Sequence, residues 1–215
     1  MLAVIGLILI VYRRGGHFQL NLAGLVNFAV DLPKHDVRAE IHYPILARAV
    51  ADLGAIVQSK DYHSDLPKLY QDLLYGASRT GNGKECRVAL MVPNSDHLLI
   101  CKEVLHHSIS AKAAWTFNLK DTMPATVAYN EKRIYNCSDV SKDALWKALP
   151  RAQANAYRSF VCVPVLADHQ SYGLLLVDSP ERNAFSKNAE RDLQVYATFL
   201  ATLLALEWVL EGRVF

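Results

Sequence analysis

The chain has 215 residues, of which 52% are hydrophobic and 20% are charged, and its 23 Lys and Arg against 21 Asp and Glu give a formal net charge of +2. A charge so close to neutral excludes a strongly basic nucleic-acid-binding protein, so no nucleic-acid partner is expected. The apolar fraction is too high for a disordered chain, and ten glycines and eight prolines are too few for a fibrous or low-complexity protein. The length suits one domain of about 150–180 residues with an additional segment.

The first 32 residues form an apolar segment. Leu2–Tyr12 is a run of eleven uncharged residues that is followed by Arg13 and Arg14, whereas a membrane-spanning helix needs about 20 apolar residues. Two interpretations of this run stay open. Either it is the stub of a membrane anchor, with residues 1–14 in contact with the membrane and the rest of the chain in the cytoplasm, or it is a strand or helix packed on the main domain.

Two helices are predicted next. Apolar residues at spacings of three and four predict a helix over Asp36–Lys60, within a connecting segment of residues 33–63. A second helix follows, with Ser64 as its N-cap and Pro67 in its first turn. The turn-forming stretch Ser78–Lys84 ends this second helix.

The apolar pattern then changes to a period of two, which is typical of strands. Two hairpins are predicted, with turns at Pro93–Asp96 and Ala167–Ser171. Their strands are Arg87–Val92, Leu98–Val104, Phe160–Leu166 and Tyr172–Val177. The irregular middle part contains a short predicted strand at Arg133–Asn136, and a closing helix runs from its N-cap Ser186 to Glu211. Helices first, strands in the middle and a helix last indicate an α+β fold with an antiparallel sheet.

The four cysteines, Cys86, Cys101, Cys137 and Cys162, stand far apart in the sequence. Secreted disulfide-rich domains carry denser cysteines and zinc sites use close pairs, so the thiols are predicted to be reduced and the protein cytoplasmic. No metal site is predicted, because His97 and Cys101 would lie about 13 Å apart along one strand. The chain has no sequence motif of a catalytic nucleophile, so no catalytic residue is predicted.

A recognisable pattern occupies the last third of the chain. It consists of Tyr157–Leu166, then Tyr172–Asp178, then Ala184–Ser186 before the closing helix. This pattern resembles the end of a GAF domain. Met123–Tyr129 and Arg133–Val140 are similar to the family pattern for the preceding part, so the resemblance covers about residues 64–211.

The resemblance implies a six-stranded antiparallel sheet, with helices on one face that form a dimer surface and a ligand pocket on the other face. The residues expected to converge in this pocket are Trp115, Phe117, Tyr129, Asp139, Tyr157 and Arg158. Aromatic walls can stack on a base or ring, and one Arg with one Asp can fix polar groups of a small-molecule ligand. Alternatively, the aromatic side chains fill an empty pocket. GAF domains hold cyclic nucleotides, tetrapyrroles, haem, small metabolites or nothing, so the resemblance names no cofactor.

The function that the resemblance implies is that of a sensory or regulatory domain, which signals through its terminal helices to a partner. A homodimer is predicted, with Leu193, Leu200 and Leu204 of the closing helix as the seam between two copies. The competing interpretation is that Phe18–Leu32 folds back and covers the surplus apolar surface within one chain. Two other functions stay open: a redox enzyme of the free methionine-sulfoxide reductase type, and an unliganded dimerisation scaffold.

Overall fold

The structure is a computed structural model that describes residues 16–22, 26–32, 45–46, 48–49, 51–53, 55, 62–81, 86–104, 116–145, 157–167 and 170–211. The predicted membrane-contacting residues 1–14, the pocket residue Trp115 and most of the predicted helix Asp36–Lys60 lie outside these ranges. The described residues between 45 and 55 are helical, in agreement with that prediction. No helix in the described part of the chain is long and apolar enough to cross a membrane.

An antiparallel hairpin stands near the beginning of the chain. Its strands are β1 (Gly16–Leu22) and β2 (Val26–Leu32). The ladder runs from the pair Gly16–Leu32 to the pair Leu22–Val26, and it forms a two-stranded sheet of its own. The run Leu2–Tyr12, for which the two interpretations were given, precedes this hairpin and lies outside the described residues.

The other six strands form one antiparallel sheet, as the sequence predicts. They are β3 (Arg87–Asn94), β4 (His97–Val104), β5 (Thr116–Asn118), β6 (Tyr135–Cys137), β7 (Ser159–Ala167) and β8 (Gln170–Ser179). Their order in the sheet is β5-β4-β3-β8-β7-β6, so both predicted hairpins are confirmed and β3 pairs with β8 at the centre. Both edges of the sheet are strands of three residues.

Three helices complete the fold: α1 (Tyr62–Ser78), α2 (Pro124–Glu131) and α3 (Lys187–Leu210). The prediction for the start of α1 is wrong, because the helix begins before the expected N-cap Ser64 and Pro67 lies inside it. A proline this close to the start of a helix removes one backbone hydrogen bond, which the packing of α1 tolerates. The N-cap of α3 is confirmed, since Ser186 Oγ accepts a hydrogen bond from the Ala189 N–H at 3.3 Å.

One face of the sheet is covered by α1 and α3. These two helices pack on each other, with α1 on β3 and β4 and α3 on β7 and β8. The strand residues that point into this core include Val88, Leu90, Val161, Val163, Leu175 and Val177. Leu193, Leu200 and Leu204 of the closing helix are buried in the same core. The seam that the sequence predicted for a dimer is therefore occupied within one chain.

The opposite face is covered by α2, which contacts β5, β6, β7 and β8. We call this side of the sheet the α2 face. Its buried residues are Ala89, Met91, Leu98, Phe117, Ala125, Ala128, Cys137, Val140, Tyr157, Phe160, Cys162, Leu174 and Leu176. Because successive side chains of a strand alternate between faces, the same strands supply both cores.

Candidate functional site

Three of the predicted pocket residues meet on the α2 face. Phe117 of β5 and Tyr157, which precedes β7, are buried members of its apolar cluster. Tyr129 of α2 is half-buried and packs against the same cluster. Burial raises the pKa of both tyrosines above the usual value, so both hydroxyls are neutral at pH 7. Three of the four predicted aromatic residues are thus brought together from separate parts of the chain, and the fourth, Trp115, lies outside the described residues.

Two predicted polar residues lie at the edge of this cluster. Asp139 is buried, and its carboxylate accepts hydrogen bonds from Ser141 N–H at 3.1 Å and Ser141 Oγ at 2.7 Å. The Ser141 hydroxyl, followed by its N–H and by the Arg182 guanidinium at 3.4 Å, holds the pKa of Asp139 below its usual value. Arg158 is exposed, and its backbone joins Val140 to Ser179. Asp139 is therefore engaged in fixing its own loop, whereas Arg158 is free to reach solvent.

Two further aromatic residues, which the sequence analysis missed, extend the cluster along β6 and β7. Phe160 lies edge-on to Tyr157, with ring centroids 6.1 Å apart, and stacks with Tyr135 at the same centroid distance and an interplanar angle of 5°. The Tyr135 hydroxyl donates a hydrogen bond to Asp143 Oδ2 at 2.7 Å. Such aromatic pairs contribute about 0.5–1.5 kcal/mol beyond their area burial. The alternation of β7 could have signalled Phe160, because it shares a face with Cys162.

A buried ion pair lies on the same face, and the sequence analysis missed it as well. Arg87 and Asp178 are directly opposite each other on β3 and β8. The guanidinium of Arg87 donates two hydrogen bonds to Asp178 Oδ2, from Nε at 2.7 Å and from Nη2 at 2.5 Å. It also lies 5.8 Å from the centroid of the Tyr157 ring, within the range of a cation–π contact.

The second oxygen of Asp178 stands out, because Asp178 is buried and its Oδ1 has no hydrogen-bond partner among the described residues. Burial raises the pKa of this carboxyl to about 6 against the opposing effect of Arg87. Arg87 nevertheless favours the ionised form, and the carboxyl presents an acceptor in an apolar, aromatic environment. An acceptor of this kind is strongly stabilised by any N–H or O–H donor that reaches it.

The three described thiols on or near this face have low nucleophilic reactivity. Cys137 and Cys162 belong to the α2-face cluster, and Cys86 is buried beside the Arg87–Asp178 pair. Burial raises the pKa of Cys86 to about 11 and that of Cys137 to about 12, and it raises the pKa of Cys162 well above the ordinary value. Since the thiolate is the nucleophilic form, these three side chains are poor nucleophiles at pH 7.

The short helix α2 is fixed at both ends by local contacts. Thr126 Oγ1 accepts a hydrogen bond from the Met123 N–H at 3.0 Å and donates to the Asp121 carbonyl at 2.5 Å. At the other end, Lys132 adopts a left-handed conformation with φ 52°, and its N–H donates to the Tyr129 carbonyl at 3.4 Å. These caps hold Tyr129 over the cluster.

No group of three or more His, Cys, Asp and Glu side chains in the described ranges is placed to hold a metal ion. The α2 face combines aromatic side chains with a few polar groups. Phe117, Tyr157 and Phe160 are buried and Tyr129 is half-buried, while Asp178 carries a buried acceptor and Arg158 is exposed. This combination of apolar walls with a few polar groups is typical of small-molecule sites.

Comparison with known proteins gives the fold an independent description. No curated protein sequence matches the chain significantly. Among solved structures, the GAF domain of a phosphoenolpyruvate-protein phosphotransferase from Acinetobacter is 15% identical, with a TM-score of 0.60 over 81% of this chain and 96% of that one. A type II free methionine-R-sulfoxide reductase from Thermoplasma acidophilum is 24% identical, with a TM-score of 0.51 over 65% of this chain and 94% of that one.

A third similar structure is the chromophore-binding domain of a bacteriophytochrome from R. palustris, at 9% identity and a TM-score of 0.58 over 93% of this chain and 71% of that one. At these identities the similarities show the fold alone. The sequence profile of the GAF domain family matches residues 65–204, close to the range that the resemblance predicted. The chain therefore belongs to the GAF domain family.

Proposed function

We propose that this chain is a sensory or regulatory GAF domain, which binds a small ring-containing ligand on the α2 face and signals through its terminal helices. The observation that carries the proposal is the convergence of Phe117, Tyr129 and Tyr157 on the face opposite α1 and α3. A ligand bound there contacts the strands whose other side packs against α3. Binding or release of the ligand can therefore alter the packing of α3 through the strands of the sheet.

The chemistry of the face limits the class of ligand. Stacking on tyrosine and phenylalanine rings favours a planar or aromatic group. The ionised Asp178 favours a ligand that also carries an N–H or O–H donor, since this donor would satisfy the buried Oδ1. Arg158, which is exposed at the edge, suits an anionic group that stays in contact with solvent.

The alternative is a redox enzyme of the free methionine-sulfoxide reductase type, and the similarity of the fold to such reductases favours it. The thiols argue against it. Burial raises the pKa of Cys86 to about 11 and that of Cys137 to about 12, and it also raises the pKa of Cys162 well above its usual value, so all three thiols are protonated at pH 7. Cys86, Cys137 and Cys162 are the cysteines whose side chains the structure describes.

Native mass spectrometry of the full-length chain, purified from its own host without denaturation, tests the proposal. We expect the wild type to carry a bound small molecule and Tyr129→Ala to lose most of it. The control is Tyr75→Ala, because Tyr75 is an exposed tyrosine on α1, outside the α2 face; this variant should retain the molecule. Wild-type protein that shows its bare mass alone would instead support the unliganded scaffold, and equal loss in both variants would also contradict the proposal.

A further inference from the structure

Strand β8 is contacted by a helix on each face of the sheet, by α2 on one and by α3 on the other. At the beginning of β8, two neighbouring residues face these two sides. Ser171 lies beside Tyr129 of α2, whereas Tyr172 is buried in the core under α1 and α3. A displacement of Ser171 on the α2 side therefore occurs next to a residue that belongs to the core of α3.

The hydroxyl groups of Tyr129 and Ser171 are neighbours that lack a hydrogen bond of normal geometry. Burial raises the pKa of Tyr129, and the Ser171 side chain opposes this effect, as a nearby hydroxyl does. Ser171 Oγ is nevertheless buried without a hydrogen-bond partner among the described residues. A buried hydroxyl is stabilised by a partner, although the net gain from one hydrogen bond is small. A small displacement of Tyr129 is therefore enough to make or break this contact.

Tyr172 is the additional residue of a β-bulge. The β7–β8 ladder pairs Val165 with Gly173. The next pair is Leu166 with Ser171, so β8 advances by two residues where β7 advances by one. A bulge disrupts the ladder locally and bends its strand, and bulges often change the direction of a side chain. At Tyr172 the side chain can therefore turn without a shift of the whole strand.

Gly173 fixes β8 directly after this bulge. A Cβ atom at Gly173 would clash with the Met91 carbonyl oxygen, so β8 and β3 are already in close contact at this point. Because a closely packed interior transmits strain instead of absorbing it, a displacement of Ser171 stays at the beginning of β8 and is passed to Tyr172.

The ring of Tyr172 contacts Trp208 in the last turn of α3. The two ring centroids are 5.1 Å apart, and the ring planes are tilted by 54°. Trp208 is half-buried and packs against the core that contains Tyr172. The energy of an aromatic pair depends on the relative orientation of its rings, so a turn of the Tyr172 ring changes the packing of Trp208.

We propose that the beginning of β8 is a switch that links Tyr129 of the α2 face to Trp208 at the end of α3. Its two states differ in whether Tyr129 and Ser171 are hydrogen-bonded, and the bulge at Tyr172 converts this difference into a different packing at the end of α3. The switch lies within one chain and needs no second copy. It also needs no ligand to exist, so the inference is independent of the ligand proposed for the α2 face.

The test replaces the tryptophans of the full-length chain with fluorotryptophan and records fluorine NMR spectra. The chain has three tryptophans, and Trp208→Phe identifies the resonance of Trp208. In the wild type this resonance averages the two states of the switch, whereas Tyr129→Phe leaves only the state without the hydrogen bond. We therefore expect Tyr129→Phe to shift the Trp208 resonance by more than its linewidth. Ser171→Ala removes the other hydroxyl and should shift the resonance in the same direction.

A double variant and a matched control make the test specific. Adding Ser171→Ala to Tyr129→Phe should cause no further shift, because either substitution abolishes the same contact. The control is Tyr135→Phe, which removes a tyrosine hydroxyl from β6 on the same face, where it donates to Asp143; it should leave the Trp208 resonance in place.

Three results would overturn the proposal. The first is a Trp208 resonance that Tyr129→Phe leaves unchanged. The second is an equal shift in the control Tyr135→Phe, since the resonance would then report any change on the α2 face. The third is a double variant in which the two single shifts add up, because Tyr129 and Ser171 would then act through separate contacts.

Discussion

The ion pair between Arg87 and Asp178 places two charges on a face that is otherwise apolar and aromatic. Both side chains are buried, and the two hydrogen bonds from Arg87 go to the same oxygen of Asp178. Burying each charge carries a desolvation cost, which the other charge largely offsets. Removing one partner alone therefore leaves an uncompensated charge in the core between β3 and β8.

Arg87→Met should lower the free energy of unfolding by about 3–5 kcal/mol at pH 7, because the Asp178 carboxylate loses its partner. Urea unfolding measures this change. The matched control is Lys120→Met, which removes an ion pair of similar length, 2.7 Å to Asp96, between two exposed side chains; it should cost less than about 1 kcal/mol. If the two variants lost similar amounts of unfolding free energy, burial would not be the reason that the Arg87–Asp178 pair stabilises the protein.

At the scale of single residues, sequence patterns located aromatic residues better than polar partners. Phe117 and Tyr157 were predicted from the family pattern, and they lie together on the α2 face. The Arg87–Asp178 pair was not predicted, because partners on β3 and β8 follow from the strand register, which the sequence of either strand does not contain. Asp139 was predicted to bind a ligand, which stays a prediction, and the sequence did not indicate the hydrogen bonds that its carboxylate accepts from Ser141.

At the scale of elements, the long periodic segments were predictable, and of the two short edge strands only β6 was predicted, two residues early at Arg133–Asn136. The hairpins β3–β4 and β7–β8 have clear alternation and turn residues, and they lie where they were predicted. The edge strand β5 has three residues, too few for a period to be seen. The β1–β2 hairpin was hidden in an apolar segment in which periodicity does not distinguish a buried strand from a buried helix.

The centre of the sheet depends on a close approach at Gly173, where β8 passes β3. A Cβ atom at this position would lie 2.3 Å from the Met91 carbonyl oxygen, and a backbone atom inside the sheet cannot move away easily. Gly173→Ala should therefore destabilise the protein by about 3 kcal/mol, as measured by urea unfolding. Gln170→Ala, at an exposed position of the same strand, should change the stability by less than about 0.5 kcal/mol. An unchanged urea midpoint for Gly173→Ala would contradict this packing.

At the scale of the whole molecule, the sheet separates two surfaces with different chemistry. One face is closed by α1 and α3, and the other carries the aromatic cluster under α2. GAF domains and free methionine-R-sulfoxide reductases share this fold. The fold alone therefore does not distinguish a regulatory from a catalytic function, and the distinction rests on the side chains. The buried, protonated thiols favour the regulatory function.

The most direct test is the rate at which the reduced full-length chain reduces free methionine-R-sulfoxide with dithiothreitol as the reductant. The reference is a variant in which Cys86, Cys101, Cys137 and Cys162 are all replaced by Ser, with its fold checked by circular dichroism. A regulatory domain predicts that the wild type and this variant both react at the rate of the protein-free solution. Turnover by the wild type that the cysteine-free variant lacks would contradict the regulatory function and identify the chain as a reductase.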